Sequence, residues 1–192
     1  MNSAGSASEQ ALDLRSGLPD SLRILLEEYP RQGWEADPAY NGLISFWLDR
    51  HMMFRRILEK LHTNAVDCRD GNTDPKSHVA QLARFGSMFV GELHGHHNIE
   101  DVHYFPLLAK KDARIKAGFD LLDSDHHALD GHLNKFVERA NAVLQPSIDP
   151  QTALGRFLDN VQRLERLLDR HLVDEEEVVV PVILKYGVDG LN

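Results

Sequence analysis

The chain has 192 residues, of which 42% are hydrophobic and 27% charged, with 13 Gly and 8 Pro. That suits one domain with at most a terminal appendage, and it excludes collagen-like and mostly disordered chains. The 21 Lys and Arg against 30 Asp and Glu give a formal net charge of -9, which argues against nucleic acid or an anionic membrane as the partner.

The single cysteine, Cys68, rules out a disulfide framework, thiolate-held iron–sulfur clusters and cysteine zinc sites. No apolar run approaches the roughly 20 residues that span a bilayer. The polar N-terminus does not read as a secretion signal, so a soluble, cytoplasmic protein is expected. One count stands out: 11 His, most of them in two crowded patches.

Residues 1–20, rich in Ser, Gly, Ala and Asp, read as a loose arm. A short helix is expected over 21–29, broken by Pro30, Gly33 and Pro38, so that 1–38 form an N-terminal extension. From residue 39 onward the periodicity is helical. Four helices are predicted: A over 39–62, B over 75–109, C over 113–144 and D over 150–185. Thr63–Asp74 reads as the first loop, 110–112 as the second and Ser147–Pro150 as the third. The β-branched run Val178–Val182 reads as the buried end of helix D, and 187–192 as a C-terminal tail.

Each helix carries apolar residues at 3–4 spacing, including Trp47, Phe54 and Leu58 in A, Phe89 and Leu93 in B, Leu129 and Phe136 in C, and Leu164 and Leu168 in D. Such stripes bury one face of each helix, which predicts an all-α, antiparallel up-down four-helix bundle over 39–186. Polar residues nevertheless interrupt all four stripes, where burial without a partner costs a few kcal/mol.

Those polar residues repeat. A shift of 75 places His51 on His126, His96 on His171, Glu100 on Glu175 and Pro106 on Pro181. Each half is therefore one helix carrying a His, followed 45 residues later by a helix carrying His-x-x-x-Glu. His and Glu at i and i+4 share a helical face and can reach one metal or two adjacent metals. Imidazole and carboxylate without thiolate suit iron, manganese or zinc, and carboxylates can bridge two ions.

The segments DRH at 49–51, HHNIEDVHYFP at 96–106, DHH at 125–127 and HLVDEEEVVVP at 171–181 together resemble the hemerythrin-like, HHE cation-binding family. The resemblance covers about residues 40–185. It implies a four-helix bundle around a non-haem di-iron centre; the donor set alone leaves manganese or zinc as the alternative metals. Carried over, it gives one iron to His51 and His96, the other to His126 and His171, with Glu100 and Glu175 between them. Two departures from the oxygen carriers are visible. Asp130 stands where they have a further His, and the second bridging carboxylate comes four rather than five residues after its His.

His103, three residues past Glu100, is expected in or beside the metal's ligand shell, where it would make up for that missing His. His97 and His127 are about 100° off the stripe and read as flanking residues. His62, His78, His94 and His132 read as surface residues. Asp101, Asp174, Glu176 and Glu177 read as a solvated acidic rim, Asp130 as a hydrogen-bond acceptor near the site, and Tyr104 as a boundary aromatic. The resemblance implies a partner that is dioxygen or another small oxidant, bound or sensed. The alternatives are a di-iron oxidoreductase of ferroxidase or peroxidase type and a non-catalytic cation-binding module.

Overall fold

The structure is a computed structural model and describes residues 11–145 and 149–191. Pro146, Ser147 and Ile148, where the third loop is expected, lie outside the described residues, as do residues 1–10 of the arm. The described chain is all-α, and no strand occurs among the described residues. In chain order the helices are α1 (Ile24–Glu28), α2 (Gly42–Arg69), α3 (Pro75–Ile99), α4 (Phe105–Leu108), α5 (Lys116–Leu144) and α6 (Pro150–Tyr186). Short 3-10 turns cover Asp20–Leu22, Arg31–Ala36 and Ala113–Ile115. No helix among the described residues is long and apolar enough to cross a membrane.

The helix starts follow from their caps. Asp74 accepts a hydrogen bond from Ser77 N at 3.0 Å, and Pro75 then opens α3 in the first-turn position where its missing N–H costs nothing. Asp149 accepts from Thr152 N at 2.9 Å, and Pro150 opens α6 in the same way. The end of α2 differs from expectation. The helix runs to Arg69 rather than stopping at 62, because Ala65 is fully buried and holds the extra turns against the core. It stops at Gly71, whose φ of 79 suits only glycine. Asn72 N then bonds Asp67 O at 2.8 Å and Gly71 N bonds Cys68 O at 3.2 Å, a Schellman ending.

Between α3 and α4 the helix widens into a π turn over Glu100–Tyr104, closed by the Phe105 N–H donating to Glu100 O. Pro106 follows directly. It has no N–H, and its ring conflicts with the carbonyl four residues back. Proline alone does not dictate the widening, since Pro181 sits inside an α6 that stays α-helical. The π turn thus breaks the symmetry of the sequence repeat at Glu100, and such turns gather at functional sites.

The chain divides into two compact units, residues 1–51, 97–128 and 169–192 in one, and 52–96 and 129–168 in the other. The core of the first includes Trp34, Ile44, Trp47, Phe105, Phe119 and the buried valines of α6. Gly118 permits a close approach there, since a Cβ on it would lie 3.3 Å from both Val178 methyls. The run Val178–Val182 is helical and buried, as expected. The second unit is organised by edge-on and tilted aromatics, with ring centroids 6.4 Å apart for Phe54–Phe89, 5.6 Å for Phe89–Phe136 and 5.7 Å for Phe136–Phe157.

Residues 11–20, which the composition reads as loose, are packed into the first unit. Leu12 and Leu18 are buried, and the Arg15 side chain is only 3% exposed. At the other end Leu191 is buried.

Candidate metal centre

In the first unit α2, α3 with its π turn, α5 and α6 each supply imidazole or carboxylate to the interior. Glu175 of α6 is fully buried, with its two oxygens pointing different ways. Oε1 lies 3.2 Å from His51 Nε2 and also accepts a hydrogen bond from the Trp47 indole N–H. Oε2 lies 3.4 Å from His171 Nε2. Glu100, also fully buried, presents Oε2 at 3.7 Å from His126 Nε2. His51, Glu100 and Glu175 bring ligand atoms within 4.8 Å of one another, and His97, His126 and His171 do the same.

Each of three imidazoles is gripped from behind by a carboxylate on Nδ1. His51 Nδ1 is 3.0 Å from Glu176 Oε1, His126 Nδ1 is 2.7 Å from Asp101 Oδ1, and His171 Nδ1 is 3.3 Å from Asp125 Oδ2. Ionised carboxylates only accept, so Nδ1 carries a proton, and once the ring is neutral it is Nε2 that presents its lone pair to the interior. This carboxylate–histidine pairing is how proteins orient and enrich metal-ligating imidazoles.

The residues fit a divalent cation. His126 Nε2 and His171 Nε2 are buried without a hydrogen-bond partner, which is costly unless something accepts their lone pairs. Burial, then the neighbouring Glu175, pushes the Glu100 carboxyl well above the usual carboxylate range. Burial works to lower the basicity of His171, but Asp125 and Glu175 outweigh it and raise its pKa to about 9. In His51 burial is likewise overcome by Glu175 and Glu176, and the pKa rises. A cation would stabilise the ionised carboxylates and take the place of those protons.

Several expectations are corrected. His97 is no flanking residue: it is 6% exposed and stacks on His126, centroids 4.0 Å apart and planes 11° apart. It stands three residues before Glu100, and i and i+3 share a face as i and i+4 do. Its repeat counterpart, Leu172, hid that signal. Half of the expected rim is not solvated either: Asp174 and Glu176 are buried, while Asp101 and Glu177 stay partly exposed. Arg15 and Arg170 hold Asp174, and Arg31 holds Glu176. His78 is buried too, with Nδ1 2.6 Å from Asn64 Oδ1.

His103 is in neither ligand group. Its Nε2 is 3.0 Å from Leu191 O, because the wide turn rotates less per residue than an α-helix and position +3 does not return to the Glu100 face. His96 ends the first stretch of the second unit, where its ring packs 5.1 Å from that of Phe54. His127 is exposed, and its Nδ1 bonds Asp123 O at 2.8 Å. Asp130 is half exposed and lies 3.9 Å from His94.

A family model for the Hemerythrin HHE cation binding domain matches residues 42–183. The chain belongs to the hemerythrin HHE cation-binding family. Comparison with curated proteins and with solved structures gives no significant match. Membership implies binding of metal cations, and the His and Glu clusters of this hemerythrin-like chain have the donor chemistry to hold them. The matched stretch begins at the start of α2, so the segment carrying Arg15 and Arg31 lies outside it.

Proposed function

We propose that the chain is a non-haem di-iron hemerythrin-like protein, folded as an antiparallel up-down four-helix bundle, that binds or senses dioxygen or a related small oxidant. The observation that carries the reading is the Glu175 carboxylate, which offers one oxygen toward His51 and the other toward His171. A carboxylate so placed suits a pair of ions rather than one. One ion would be held by His51 and His96, the latter on its i,i+4 spacing with Glu100; the other would be held by His97, His126 and His171. Glu100 and Glu175 would serve both.

Two reduced irons, if held by these residues, would supply the electrons that a small oxidant accepts. The chain's own residues orient and shield the site. Glu176, Asp101 and Asp125 keep the protons of His51, His126 and His171 on Nδ1. Trp47 fixes one oxygen of Glu175. Phe105 lies nearly parallel to the His126 ring at 5.4 Å and keeps water from its face. The absence of thiolate among these donors favours iron over softer-metal chemistry, with manganese or zinc as the competing occupants.

The second reading, a ferroxidase- or peroxidase-type oxidoreductase, uses the same residues and differs in turnover. Anaerobic loading with iron(II) followed by admission of dioxygen separates the two. A reversible change in the visible spectrum supports binding or sensing, whereas repeated consumption of dioxygen, peroxide or iron(II) supports the oxidoreductase. Iron-loaded protein inert to both oxidants overturns both.

A further inference from the structure

We propose that the segment preceding the family domain is a working part of the metal centre, with Arg15 and Arg31 as positioning residues for His171 and His51. This inference rests on the metal-binding reading above.

The two arginines do equivalent things from different places. Arg15 forks onto Asp125 through both terminal nitrogens, and its Nε donates to Asp174 Oδ2 at 2.8 Å. Asp125 in turn holds His171 Nδ1. Arg31 donates to Glu176 Oε2 at 2.6 Å, while the other oxygen of Glu176 holds His51 Nδ1. Each chain of contacts runs arginine, carboxylate, imidazole, with Nε2 facing the buried glutamates. The third such imidazole, His126, is held by Asp101, a carboxylate that neither Arg15 nor Arg31 engages in those contacts.

The chemistry follows from that order. A carboxylate on Nδ1–H draws the proton toward itself and makes Nε2 a stronger donor. A guanidinium bonded to the same carboxylate pulls the electron density back and adds a positive charge near the site. Both effects favour the metal's lower oxidation state. Burial strengthens them: Arg15 is 3% exposed and Asp125 is equally buried, where charges are screened little by solvent. A segment that only covered the site would not need two of its three arginines on two of the three carboxylates that hold metal-facing histidines.

The 192-residue chain and the variants Arg15→Gln, Arg15→Lys and Arg31→Gln test this in two ways. The zinc-loaded, redox-silent proteins are read by the NMR resonances of the histidine Nδ1 protons, and the iron-loaded proteins by their reduction potential. Arg31 is 42% exposed on its side chain, so its variant keeps the fold even where Arg15→Gln does not. The expected result is a shifted His51 resonance in Arg31→Gln and a shifted His171 resonance in the Arg15 variants. The His126 resonance stays in place, and the potential falls in each glutamine variant that folds, less in Arg15→Lys, which keeps the charge.

Unmoved resonances and potential in folded variants, with only a lower melting temperature, would overturn the inference and leave the metal reading standing. Wild-type protein that takes up neither zinc nor iron would overturn the metal reading and the inference with it.

Discussion

The ring of His97 stacks on that of His126 at 4.0 Å with 11° between their planes, and both send a nitrogen to the cluster that also contains His171. We therefore propose His97, and not the exposed His127 of the second crowded patch, as the added imidazole of this site. His97→Ala is expected to weaken metal binding by more than the about 10–100-fold typical of losing an outer hydrogen-bond partner. His127→Ala is expected to leave it unchanged. Titration of zinc against a competing chelator measures both, and equal effects from the two variants would contradict the assignment.

Glu175→Gln keeps the shape of the side chain and leaves an amide oxygen for the Trp47 N–H, but removes the charge between His51 and His171. Far-UV circular dichroism should remain helical, because the apolar cores of both units are untouched. Metal content should drop below that of wild type; an unchanged stoichiometry shows that Glu175 bridges nothing.

His103→Ala removes the contact of Nε2 with Leu191 O and touches neither ligand group. Metal content and visible spectrum should match wild type, while amide exchange at the C-terminus becomes faster. Selective loss of one metal ion would place His103 at the centre instead.

Metal-free protein should lose stability as the solution becomes alkaline. The folded-state pKa of His171 is raised to about 9, against an ordinary value near 6.5. Its contribution is fully present below the ordinary value and lost as pH rises through about 9. Glu100, raised mainly by burial and then by Glu175, acts with the same sign from a lower starting pH. Metal takes the place of those protons, so apparent affinity should rise over the same interval. Melting temperatures of metal-free protein between pH 6.5 and 9 check this, a flat or rising profile being the contrary result.

The doubled motif made His51, Glu100, His126, His171 and Glu175 legible, since spacing of four on an apolar stripe places polar groups inside before any coordinates exist. Helix existence was legible for the same reason, whereas the end of α2 was not: Asn64 and Asp67 look like loop residues, and only tertiary burial of Ala65 holds them helical. The repeat also misled. It equated His97 with Leu172, and it gave no warning of the π turn that carries His103 off the stripe. Buried Asp174 and Glu176 resembled a solvated rim because, apart from Arg170 one turn before Asp174, the arginines that pair with them, Arg15 and Arg31, lie more than 140 residues away in sequence. Long-range charge pairing of that kind leaves no local pattern.

A paired metal site is tested most directly by counting the metal that the chain holds. Protein expressed with iron available, purified without chelator and analysed for iron, manganese and zinc per chain is predicted to carry two ions, predominantly iron. Protein that holds none of the three as isolated, and takes up none on anaerobic reconstitution, would contradict the account.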